Sequence, residues 1–161
     1  MRSSITKRLA LIAMIPATLL VVVAFASSAQ AAVTGTAKLR SDIAVLTNKQ
    51  RAAHGCKAVV VSPALTRAAA GHSAYQARTK KMSHTGANRS TFVTRSKAAG
   101  YNRPLSENVA YGYSTAAAVV NAWMASPGHR ANILNCKAIA VGVGVAYASN
   151  GLPYFTQNFG Y

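Results

Sequence analysis

The sequence predicts an α+β fold in which helices pack on a small, mainly antiparallel sheet. Two patterns carry this reading. Apolar residues recur at helical spacing early in the chain, as at Leu39, Ile43 and Leu46. The C-terminal part instead is Val-rich over 139–147, turns at Asn150-Gly151 and returns over 152–159, the pattern of a hairpin. Helices first and a hairpin last is the order of an α+β domain, not of alternating βα units. No internal repeat or low-complexity linker interrupts it.

Each element has its own local reason. The first helix opens at Lys38 and stops at Gly55, a residue suited to the left-handed position that follows a helix. Ser62-Pro63 starts the second, with a hydroxyl to cap and a proline where the missing N–H costs nothing. That helix runs to about Met82 and sets Leu65, Ala68, Ala69, His72, Tyr75 and Gln76 along one side. Ser90 or Thr91 caps a shorter helix ending at Gly100. A short strand is expected over 108–111. Ser114 or Thr115 opens a helix through Val119, Val120 and Trp123. Ser126-Pro127-Gly128 breaks it and begins a further turn over 130–134, with Ser126 as the cap. In the strand over 139–147, Gly142 and Gly144 permit another backbone to come close.

Residues 1–31 read as an export signal. Arg2, Lys7 and Arg8 precede an apolar run over 9–26, and Ala29-Gln30-Ala31 is an A-x-A cleavage box. The box favours removal over the rival reading, an uncleaved membrane anchor. A loose N-terminus over 32–38 and one folded domain over 39–161 then remain. No second hydrophobic stretch of spanning length follows.

The whole chain has 18 Lys and Arg against two acids, a formal charge of +16. Loss of Arg2, Lys7 and Arg8 with the signal lowers it to +13. A charge of this size favours polyanions. Outside a cell these are anionic cell-wall polymers or lipid headgroups, and nucleic acid is not expected. The bland alternative is a charge that serves only solubility. The expected protein is a secreted, extracellular monomer, with cell-wall association as one consequence of its charge. Cys56 and Cys136, an even count in an exported chain, read as one disulfide. The chain-entropy picture gives a loop of that length roughly 4 kcal/mol of stabilisation.

Glu107 is the only glutamate and Asp42 the only aspartate. Glu107 stands between two histidines in distinctive company, His84 in Ser83-His84-Thr85-Gly86 and His129 in Ser126-Pro127-Gly128-His129-Arg130. Two imidazoles and one carboxylate can hold a metal, relay a proton or bind a polar ligand. Spacing alone is a weak metal signal, because no H-x-x-x-H or H-x-H puts two ligands on one element. His72 reads as a packed or hydrogen-bonded residue, His54 as a cation complementing a helix C-terminus, and Trp123 as a core anchor.

The words around these residues add to that reading. Ser83-His84-Thr85-Gly86, Glu107-Asn108-Val109-Ala110, the run from Trp123 to Leu134, Val141-Gly142-Val143-Gly144 and the closing Tyr154-Phe155-Thr156-Gln157-Asn158-Phe159-Gly160 resemble, in order and spacing, the SCP-like or CAP superfamily domain. That superfamily comprises cysteine-rich secretory proteins, antigen 5 and pathogenesis-related proteins. Ser126-Pro127 and the Cys56/Cys136 pair resemble its bacterial, actinomycete-type secreted members. The resemblance implies an α-β-α sandwich, with helices on both sides of the sheet. It also implies a cleft with two histidines and two glutamates, in which the histidines can bind a divalent metal. Carried over, His84 and His129 match the metal-binding histidines. Glu107 matches the first glutamate, acting in the second shell or as a candidate base. The second glutamate falls at Ser126, so three of the four groups remain and zinc or a similar ion should bind only weakly. No cofactor is required.

Two functions compete, beside the bland reading of a stable envelope protein with no ligand. One is an extracellular binding or interaction module for a lipid, glycan or cell-envelope polymer, without catalysis. The other is a divalent-metal-assisted hydrolase, in which His84 and His129 hold the ion and Glu107 activates water.

Overall fold

The computed structural model describes the backbone of residues 18–161 and the side chains of residues 35–161. The chain divides into two compact units, residues 1–33 and 34–161. The export segment predicted at 1–31 lies outside the residues whose side chains are described.

The elements are α1 (Thr18–Ala53), β1 (Val60–Val61), α2 (Pro63–Thr79), a 3-10 turn (Ala87–Arg89), α3 (Phe92–Ala98), β2 (Pro104–Tyr111), α4 (Ala116–Ala125), α5 (Pro127–Ile133), β3 (Ala140–Tyr147) and β4 (Pro153–Gly160). The sheet order is β1-β3-β4-β2. Only the short β1–β3 pair is parallel; β3–β4 and β2–β4 are antiparallel. This is the expected α+β sandwich. Among the described residues, no helix is long and apolar enough to cross a membrane.

Alternation along β3 assigns the two layers. Val141, Val143 and Val145 share a core with Ile43 of α1, Val119, Val120 and Trp123 of α4, Ile133 of α5, and Phe155 and Phe159 of β4. Burial of each large apolar side chain here contributes about 1.5–3 kcal/mol. Gly142 and Gly144 face the other way, under α2. A Cβ at Gly142 would lie 2.1 Å from the Leu65 carbonyl carbon, and one at Gly144 2.3 Å from that of Ala69. Both glycines therefore let α2 rest directly on the sheet.

The starts and stops are mostly chemical. The Ser62 hydroxyl accepts from Leu65 N at the head of α2, with Pro63 following. The Thr91 hydroxyl accepts from Thr94 N, and the Thr94 hydroxyl from Thr91 N, a reciprocal cap on α3. Gly55, at φ +76°, follows the end of α1. Beyond it, the Cys56–Cys136 disulfide joins the end of α1 to the approach to β3, with Cα atoms 4.9 Å apart. Arg51 reinforces the same junction. It is fully buried, and its guanidinium donates to the carbonyls of Lys57, Ile133, Asn135 and Ala138.

Several boundaries differ from expectation. The backbone is already helical over 32–38, where a loose stretch was expected and where Lys38 and Asp42 form an i,i+4 ion pair. The second helix ends at Thr79 instead of Met82, because Lys80 takes a left-handed conformation at φ 53°. Strand β2 starts at Pro104, not Asn108, so Glu107 lies within the sheet. Ser126 occupies the N-cap position of α5, but its hydroxyl makes no capping bond.

Candidate functional site

Strand β2 sets Glu107 opposite Asn158 of β4, which in turn pairs with Gly142 of β3. Glu107 therefore points to the α2 face. Its side chain is only 1 % exposed. Oε1 lies 2.9 Å from His84 Nδ1, and Oε2 accepts from Arg95 Nη2 at 2.6 Å. The carboxylate is clamped between an imidazole and a guanidinium.

The segment bearing His84 is held from several sides. His72 is buried on α2, and its Nε2 lies 2.7 Å from the Ser83 carbonyl. That oxygen can only accept, so the His72 proton sits on Nε2. Gln76 Oε1 accepts from Ser83 N at 3.1 Å. Arg95 donates to the carbonyls of His84 and Ser90 at 3.1 and 2.7 Å. Gly86 completes the turn where a Cβ would meet Ser90, Arg95 and His72. His72 thus positions the site, as its packed reading anticipates.

His129 arrives from α5. Its carbonyl accepts from Asn108 Nδ2 at 3.3 Å, and Asn132 on the same helix donates to the Glu107 carbonyl and to Asn108 Oδ1. Helix α5 is thereby docked on β2 beside Glu107. His84 and Glu107 line a cleft of about 440 Å³ with Thr91, Phe92 and Asn132. His129 lines a cavity of about 210 Å³ with Met82, Tyr111, Tyr113 and Ser126. His84 and Glu107 are therefore joined directly, whereas the His129 ring forms no hydrogen bond among the described residues.

The electrostatics separate the two predicted histidines. The hydrogen bond that His84 donates to Glu107 raises its pKa, against an opposing effect of burial. Burial lowers that of His129, and repulsion from His84 adds to the shift. Burial also lowers the pKa of His72.

A divalent ion finds a partial fit. Glu107 Oε1 bonds His84 Nδ1, which is the second-shell arrangement that orients a metal-binding imidazole. His129, the other candidate, lines a different cavity. No third ligand joins them: among the described residues, no group of three or more His, Cys, Asp or Glu side chains is arranged to hold a metal. The Arg95 charge beside Glu107 also opposes a cation.

Sequence reasoning missed Arg95. The available signal was indirect: a buried carboxylate in a strongly basic chain needs a cationic partner. His54 lies just past the end of α1. Its Nδ1 lies 2.8 Å from the Gln50 carbonyl, and Arg130 Nη2 approaches Nε2 at 3.3 Å. It thus bridges the end of α1 to α5. Trp123 is the core anchor expected, 1 % exposed, with Nε1 donating to the Val109 carbonyl.

Comparison with known proteins agrees with this architecture. Two Bacillus subtilis (strain 168) proteins align over 115 residues, 71 % of this chain. They are the uncharacterized protein YkwD, at 33 % identity over 44 % of its length, and the uncharacterized membrane protein YlbC, at 31 % over 32 %. The chain spans less than half the length of either. An extracellular protein containing an SCP domain from Bacillus anthracis str. Ames superposes with a TM-score of 0.69 at 28 % identity, covering 78 % of this chain and 41 % of that one. An outer surface protein from Borrelia burgdorferi shares the fold, with a TM-score of 0.66 at 20 % identity, over 75 % of this chain and 92 % of its own. The model of the cysteine-rich secretory protein family matches residues 45–159, and the chain belongs to that family, the CAP family.

Proposed function

We propose that this protein is a secreted binding module that engages anionic cell-envelope material, polymer or lipid, without catalysing a reaction on it. One observation carries the reading: both acids of the chain are already neutralised. Asp42 pairs with Lys38, and Glu107 is buried against Arg95. Exposed cations such as Lys80, Lys81 and Arg89 flank the His84 segment with no free carboxylate to offset them. A surface of one sign attracts polyanions over long range. The export signal at 1–31 belongs to this reading and would deliver the protein to that material.

The test is co-sedimentation with isolated cell walls and with anionic vesicles across a salt series. Retention should fall steeply as ionic strength rises past about 0.1 M, where the screening length is about 10 Å. Lys80→Gln/Lys81→Gln/Arg89→Gln should weaken it at low salt. Retention indifferent to salt and to these changes would refute the reading.

The hydrolase alternative is favoured by one contact, His84 Nδ1 to Glu107, which orients an accessible imidazole. In this site His84 and His129 would hold a zinc ion, which would supply an activated water. Glu107, buried and clamped, would orient His84 and not take the proton itself. Hydrolysis of wall fragments or ester substrates by the purified protein, lost in His84→Ala, would establish it.

A further inference from the structure

We propose that the cavity beside His129 is a subsite for one neutral sugar ring, that of an N-acetylated aminosugar. It stands apart from the charge-driven reading above, because among the described residues no Lys, Arg, Asp or Glu lines it. Its volume, about 210 Å³, is small beside drug-sized sites and suits a single ring. Where the family pattern has a second carboxylate this chain has Ser126, so a hydroxyl lines the cavity in place of a charge. A charged ligand would give up its water there and meet no counter-charge.

Tyr111 supplies the platform. It pairs across the sheet with Tyr154, and the two rings stack with centroids 5.6 Å apart and planes 19° from parallel. Tyr154 is buried, so it fixes the orientation of its neighbour. Tyr111 stays 50 % exposed, with one face covered by Tyr154 and the other left open. The negative face of such a ring attracts the C–H face of a pyranose, and burying both adds a hydrophobic gain. A platform held in place beforehand loses little freedom on binding.

The polar groups match a rim of sugar hydroxyls. Among the described residues, the hydroxyls of Tyr111, Tyr113 and Ser126 and the ring of His129 make no hydrogen bond. Tyr113, Ser126 and His129 are half-buried, so each keeps part of its surface for a ligand. A hydroxyl both donates and accepts, and a neutral imidazole offers one of each, which serves sugar hydroxyls and an amide alike. The rest of the wall is apolar, with Met82, Val109 and Ala122. It gives the acetamido methyl a surface to lie on, which a plain hexose would leave bare.

NMR titration of the purified protein with methyl N-acetyl-β-glucosaminide tests this, with methyl β-glucoside and glucosamine as controls that lack the acetyl group. Amide shifts should saturate and centre on residues 109–113 and 122–129. The N-acetylated ligand should bind at least about threefold more tightly than either control, the worth of one modest contact. Tyr111→Ala should weaken binding about tenfold, and Tyr111→Phe should keep most of it, because the ring carries the stacking. Ser126→Ala should weaken it about threefold, the loss of one hydrogen bond. Tyr111 is half exposed, so its variants should keep the melting transition of the parent protein. Affinity should hold as salt rises past about 0.1 M, where charge-driven retention falls, so the two readings fail separately. The proposal is overturned if no saturable shifts appear, if they centre instead on residues 84–92, or if the controls bind equally. It is overturned as well if Tyr111→Ala leaves affinity unchanged, or if affinity collapses with salt.

Discussion

Arg95 Nη2 donates to Glu107 Oε2 at 2.6 Å, joining α3 to the strand that carries the candidate site. The same guanidinium holds the His84 and Ser90 carbonyls, so one side chain ties the loop, the helix and the strand together. Arg95→Met would leave the Glu107 carboxylate buried without its cation. Breaking such a pair costs about 3–5 kcal/mol, whereas removing both charges costs much less. Urea denaturation should show Arg95→Met strongly destabilised, and Arg95→Met/Glu107→Gln recovering a large part of the loss. A double variant no more stable than the single one would contradict a clamp acting through charge.

Zinc titration should give weak binding, because two imidazoles offer only two protein ligands and Ser126 stands where the family pattern has a second carboxylate. His84→Ala and His129→Ala should each abolish it. Glu107→Gln should weaken it less, as the amide keeps the orienting shape without the charge. Binding should also weaken in acid, since the raised pKa of His84 makes the proton a stronger competitor there. Affinity unaltered in His129→Ala would place the ion elsewhere.

How much of this was legible depended on whether the signal was local. Ser62-Pro63, Thr91 and Gly55 act within a few residues, so their helices were readable. The rarity of acids singled out Glu107, and the motifs singled out His84 and His129. The lower half of β2 was not readable. Pro104, Leu105 and Ser106 show no alternation, and they are extended because they pair with Phe159 and Gly160 far along the chain. β1 has only two residues, defined by parallel pairing with Ala140 and Val141. Arg95 was hidden by abundance, one cation among many until the fold brings it to Glu107. The role of Arg51 was hidden because its partners are backbone carbonyls, which leave no mark in sequence.

The close approach of α2 to β3 is testable at Gly142. A methyl there meets the backbone of Leu65 and Thr66 at 2.1 and 2.3 Å, so no side chain can move aside. Gly142→Ala should cost at least the about 1–3 kcal/mol typical of overpacking. It should also loosen the grip of His72 and Gln76 on Ser83, read as faster amide exchange at His84. Gly128→Ala, where nothing lies within 4 Å, is the control and should stay within about 0.5 kcal/mol. Equal effects at the two positions would remove the close-approach argument.

The histidines pull stability in opposite directions with pH. The folded-state pKa of His84 lies above its ordinary 6.5, so its contribution is present below that value and is lost as pH rises through the raised one. His72 and His129 lie below 6.5, chiefly through burial, so their contributions are present above that value and are lost as pH falls through the lowered ones. His84 therefore partly offsets the acid sensitivity that the other two create. His84→Gln should make the fall in stability from neutral to mildly acidic pH steeper than in the parent protein. His129→Gln should make it shallower. Urea midpoints measured at half-unit steps through this range decide the matter. A His84→Gln profile parallel to the parent's would mean that the bond to Glu107 does not favour the protonated imidazole in the folded state.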